Sequence, residues 1–176
     1  MKKTYGFIFC FTAIVLFLAA CQSNEQKVTE ATNAIDEGLN EKAMEQKLPE
    51  SKEDIAFEVE IKQHTDSPSV INILMQNNSN NFVIYDRQFS IEKNVEGIWY
   101  FVPFEDDLKV FQDDAPAVSA QETISEKIDL TQLKDNLSPG NYRVTRTFSK
   151  VISSNESEAE TQYKDFKLAA PFKVTN

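Results

Sequence analysis

Cysteine is nearly missing from this chain of 176 residues. There are two, Cys10 inside an N-terminal apolar run and Cys21 at its end. Nothing after Cys21 carries a thiol, which excludes a disulfide framework, a thiolate nucleophile and a cysteine metal site from the rest of the chain. Histidine is reduced to His64, too few for a histidine-rich zinc site. Positive charge is short, with 18 Lys and Arg against 28 Asp and Glu, so phosphate backbones and anionic lipid heads repel the chain. That argues against a nucleic-acid partner and for a domain that stands off a bilayer. No apolar run reaches the ~20 residues needed to span the ~30 Å hydrocarbon core.

The longest such run, Phe7 to Ala20, has 14 residues, with Thr12 the one polar member, and it follows Lys2 and Lys3. A basic start, a short apolar stretch and small residues before a cut form a secretory signal. The run closes on Leu18-Ala19-Ala20-Cys21, which resembles the lipobox of bacterial lipoproteins. The resemblance implies that the Cys21 thiol takes a diacylglyceryl group and that cleavage falls between Ala20 and Cys21. Two acyl chains hold a protein stably where one holds it reversibly, at ~0.8 kcal/mol per buried methylene. The expectation is a protein tethered by lipid on Cys21 to the outer side of the cell membrane. Removing residues 1–20 leaves 156 and, with Lys2 and Lys3 gone, a formal charge of −12 instead of −10.

Residues 21–53 are polar, acidic and poor in aromatics. Val28, Ala31, Ile35 and Leu39 recur at helical spacing, but Gly38 and Pro49 limit any helix. The segment reads as a flexible tether, with a root-mean-square span of roughly 30 Å. From Asp54 the period changes to two. Ile55, Phe57, Val59 and Ile61 form an apolar face, and Val70 to Met75 reads as a central strand ending at the Asn77–Asn81 turn cluster. Phe82–Lys93 and Ile98–Val102 predict a hairpin closed at Glu96-Gly97. Val118 to Leu130 is extended, with Ile124 and Ile128 inward, and Thr131 to Asn136 reads as one helical turn. Tyr142, Val144 and Phe148 share a face of the next strand. Phe166, Leu168, Ala170, Phe172 and Val174 line the last, where Pro171 marks an edge or a bulge.

Seven to eight short strands with almost no helix predict an all-β fold, a two-sheet antiparallel sandwich over residues 54–176. Leu137-Ser138-Pro139-Gly140-Asn141-Tyr142 has the form of a tyrosine corner, and Trp99 is the expected central packing residue. The Phe-Ser-Ile-Glu-Lys strand, Gly-Ile-Trp-Tyr-Phe-Val-Pro-Phe and Pro-Gly-Asn-Tyr-Arg-Val, over about residues 55–174, resemble the bacterial immunoglobulin-like domains of small secreted lipoproteins. These motifs are structural. The resemblance implies an immunoglobulin-like fold and no catalytic residues.

The remaining chemistry is thin. His64, beside Thr65 and Asp66, reads as a solvated turn residue with no nucleophile elbow near it. Glu105, Asp106, Asp107, Asp113 and Asp114 lack the spacing of a calcium loop, and Glu156, Glu158 and Glu160 read as an exposed loop. Arg143 and Arg146 could meet an anionic ligand, but pairing with nearby carboxylates is the plainer reading. The expectation is a non-enzymatic, cofactor-free, metal-free surface module that binds a protein, wall polymer or small ligand. The alternative is an inhibitor or accessory domain for an extracytoplasmic protease. Lipidation at Cys21 is directly testable. Cys21→Ala should leave an uncut precursor or move the protein into the membrane-free fraction. Processing at position 21 with retained lipid solubility would refute the lipobox.

Overall fold

The computed structural model describes residues 39–105, 115–153 and 162–176. Among these there is no helix. Ten strands follow in order: β1 (Ser51–Lys52), β2 (Ile55–Val59), β3 (Gln63–His64), β4 (Val70–Asn77), β5 (Val83–Val95), β6 (Ile98–Phe101), β7 (Ala117–Val118), β8 (Thr123–Asp129), β9 (Gly140–Ser153) and β10 (Gln162–Val174). Seven have four residues or more, as the alternation predicts, and the other three are two-residue additions. One sheet runs β1-β2-β4-β8 and the other β3-β10-β9-β5-β6, with β7 beside β5. All pairings are antiparallel except β3 with β10. That parallel contact places β3, which follows β2 in the chain, on the edge of the second sheet. Cys21 and the tether up to residue 38 lie outside the described residues, as do Asp106, Asp107, Asp113, Asp114, Glu156, Glu158 and Glu160.

The core forms where the inner faces meet. Ile55, Phe57 and Val59 of β2 and Ile71, Ile73 and Met75 of β4 face Tyr142, Val144 and Phe148 of β9 and Phe166, Leu168 and Phe172 of β10. Phe148 is fully buried and sits among three rings, 5.6 Å from Phe57, 5.8 Å from Phe166 and 6.4 Å from Tyr85. Burying a side chain of this size contributes a few kcal/mol. Arg146 shares the inner face. It is 1% exposed, and its guanidinium grips both carboxylate oxygens of Glu126 in the opposite sheet at 2.8 and 2.9 Å. Its charge also lies over the Tyr85 ring, 5.1 Å from the centroid. A charge in a core needs such a partner.

Local chemistry sets the turns. Glu96 and Gly97 have φ of 53° and 87°, the left-handed pair of a two-residue hairpin, which glycine adopts without strain. Glu53 and Asp54 form a second such turn, with φ of 55° and 67°. There Glu53 accepts a 2.6 Å bond from Lys164, and that bond, together with the lysine's charge, holds its carboxyl below the usual range. The Asn77–Asn81 cluster is more than a surface turn. Buried Asn77 donates to the carbonyls of Asn81, Val118 and Ser119, and its Oδ1 accepts from Ser79. Ala169 and Lys173 donate outward to Pro49 and Lys62, so the missing N–H of Pro171 falls on the edge and costs no ladder bond.

Several expectations change. Ile61 is 57% exposed because β2 ends at Val59. Residues 131–136 form a turn without becoming a helix. Trp99 is not in the core. Its register partner is Asn94, on the outer face of the sheet, and it is only half-buried. Residues 39–53, expected in the tether, are packed. Glu41 and Ala43 bond to β6, Pro49 bonds to β10, and Ala43 is 3% exposed.

The tyrosine corner is present: the Tyr142 hydroxyl donates to the Ser138 carbonyl at 2.6 Å. A side chain at Gly140 would oblige Lys93 to shift. A Cβ at that position would lie 2.9 Å from Lys93 Cε, and Lys93 is buried and bonded to Ser138. Tyr142→Phe keeps the ring and leaves that carbonyl without its donor. It should lower stability by about 1–2 kcal/mol in urea unfolding, with an unchanged m value. A loss below about 0.3 kcal/mol would mean that the corner bond does not hold this crossing.

Candidate binding face

The outer face of the β10-β9-β5-β6 sheet should be open to water. Instead it carries a strap, residues 39–50. Alternation places Arg143 and Thr145 of β9, Glu92 of β5 and Ala169 of β10 on this side, and all four are buried. The strap runs along the edge of β6, where Ala43 donates to Trp99 O and Phe101 donates to Glu41 O, both at 2.9 Å. It reaches the edge of β10 at Pro49.

Arg143 is the hub. Its Nε donates to Glu92 Oε2 at 2.6 Å, directly across the strands, and the two side chains are 4% and 1% exposed. Its remaining N–H groups reach the strap carbonyls of Glu45 and Gln46. Its guanidinium lies 4.3 Å from the centroid of the Trp99 ring. Gln46 closes the arrangement: Nε2 donates to the carbonyls of Ala43 (2.7 Å) and Trp99 (3.1 Å), and Oε1 accepts from Trp99 N (2.8 Å). Burial pushes the Glu92 carboxyl up from its ordinary range, against the opposing pull of Arg143.

Two open hollows, each of about 530 Å³, flank this assembly and share Trp99 and Pro171 as walls. The first continues along Lys47, Leu48 and Pro49 of the strap. The second continues toward Asn94, Asn141, Lys62 and Lys173. Every charged residue lining either hollow is basic, in a chain of net charge −10. Arg143 is neutralised by Glu92, which leaves three lysines facing solvent.

The other residues singled out by the sequence are dispersed. His64 is not a solvated turn residue. It lies in β3, half-buried, with its ring edge-on to Phe172 at 6.1 Å and its Nε2 enclosed without a hydrogen-bond partner. Glu105 is exposed. Arg143 and Arg146 both pair with carboxylates as expected, but Arg146 pairs across the sandwich and not along its own sheet. Among the described residues no three His, Cys, Asp or Glu side chains converge as metal ligands. Sequence reasoning missed Glu92 and Gln46. For Glu92 no local signal existed, because between Ser90 and Asn94 on an alternating strand it reads as a solvent-facing residue.

A family model described as a bacterial Ig-like domain matches residues 51–172. Among curated proteins, no match is found.

Removing one partner of the buried pair leaves the other charge without water. Arg143→Met should therefore cost about 3–5 kcal/mol, and Glu92→Gln added to it should restore part of the loss. The raised Glu92 pKa means that the folded protein holds this proton more tightly than the unfolded chain. Its contribution to stability is full below the ordinary glutamate range and declines as pH rises through the raised value. Glu92→Gln should flatten that part of the pH profile of the urea midpoint. An Arg143→Met variant as stable as wild type would show that the pair does not hold the strap.

Proposed function

Because the chain belongs to the bacterial Ig-like domain family, we propose that it is a lipid-anchored, non-catalytic module of the bacterial surface that binds a ligand on its strap-covered sheet face. The family's domains are generally non-catalytic. The anchor is read from Leu18-Ala19-Ala20-Cys21 and the basic, apolar run before it. The observation that carries the binding reading is the pair of adjoining hollows on one face, which share Trp99 and Pro171 and whose charged lining residues are all basic.

A binding module needs a preformed concave surface with a few convergent polar groups on a rigid support. Two neighbouring long strands supply that support here, β5 and β9, and Arg143 locks the strap that forms one wall.

The test is sedimentation with purified cell envelopes. In a Cys21→Ala background, which removes the lipid anchor, the chain should be retained, and Lys62→Gln with Lys173→Gln should lower retention at least several-fold with the urea midpoint little changed. Equal retention of the two proteins would sink the proposed face.

A further inference from the structure

Resting on that reading of the face, we infer that its ligand is a linear acidic saccharide whose chain spans both hollows. Three observations lead there.

The first is shape. The two hollows are neighbours with Trp99 and Pro171 in both linings, so a molecule that occupies both must pass over these two residues. A linear molecule fits this better than a compact one.

The second is the distribution of charge along the groove. Lys47 borders one hollow. Lys62 and Lys173 border the other, and the Lys173 amide donates to the Lys62 carbonyl at 2.9 Å, so those two residues are side by side. Cations in both hollows, with no acid on the lining, match a ligand whose negative charge repeats along its length. Lys62 also meets Glu58 at 3.3 Å and Glu50 at 3.7 Å, but all three side chains are about half exposed, and such pairs exchange easily for a ligand anion.

The third observation separates a saccharide from an acidic peptide. One mode by which extended peptides dock is adding a strand to a free sheet edge, where main-chain hydrogen bonds give the affinity. Here the β6 edge is taken by Glu41 and Ala43, and the β10 edge by Pro49 and Lys62, with Pro171 between them offering no N–H. Recognition must therefore come from side chains. An indole, a proline ring and the amides of Asn94 and Asn141 suit a sugar. The C–H groups of its ring pack against the indole and proline, and its hydroxyls bond to the amides.

Trp99 is the one tryptophan of the chain and reports on this groove directly. The full-length chain is titrated, with Trp99 fluorescence as the readout, against oligogalacturonate, the same oligomer as its uncharged methyl ester, and poly-L-glutamate. Oligogalacturonate should give a saturable change. Lys62→Gln with Lys173→Gln should weaken it about tenfold, consistent with two exposed charge contacts. The methyl ester and poly-L-glutamate should each bind at least about tenfold more weakly than oligogalacturonate. Tight binding of poly-L-glutamate would overturn the saccharide, and equal binding of the ester would overturn the role of charge. No response to oligogalacturonate also overturns the inference. The binding face itself is judged separately, by whether envelope retention depends on Lys62 and Lys173.

Discussion

The salt bridge between Arg143 and Glu92 is what allows the outer sheet face to be covered. A guanidinium and a carboxylate facing each other across β9 and β5 are costly to bury alone and tolerable to bury together. Once paired, the guanidinium still has N–H groups to spend, and it directs them at the carbonyls of Glu45 and Gln46. The strap is thus fastened by a charge that the sheet has already neutralised. Trp99 lies against the same guanidinium, and its backbone is bracketed by Gln46. One buried pair therefore positions the strap, the tryptophan and the groove between them.

Strand β9 carries the load on both sides. Its inner face sends Tyr142, Val144, Arg146 and Phe148 into the sandwich, and its outer face sends Arg143 and Thr145 under the strap. In antibody domains a disulfide joins the sheets, with the second cysteine two residues beyond the corner tyrosine. Here that position is Val144, fully buried between the sheets. The sheets are joined without covalent help by the rings around Phe148 and by Arg146 reaching Glu126. The first is nondirectional burial, and the second fixes the alignment of one sheet on the other.

The proposed binding face follows from this economy. Strand β9 is buried on both faces, and its Arg143 holds Trp99 and the strap in place without a ligand. The family membership bears on the fold and on the general absence of catalysis in such domains. Individual side chains, and not the fold, carry the reading of an acidic ligand.

Alternation in the sequence determined which strands exist and which side of each is apolar. Ile55-Phe57-Val59, Tyr142-Val144-Phe148 and the five inward residues of β10 were legible because facing inward is a local property of period two. The corner at Tyr142 and the turn at Glu96-Gly97 were legible for the same reason, since their bonds span a few residues. The strap was not. Gln46 and Glu45 look like tether, and only their contacts with Arg143, 97 and 98 residues away, make them structure. Trp99 misled because a large aromatic in an aromatic strand carries no mark of which sheet face it takes. Its place was decided by register with Asn94 and by the charge of Arg143 lying against it. Period and turn chemistry are written in neighbouring residues, whereas burial of an outer face depends on which distant segment comes to cover it. Only the tertiary structure settles that.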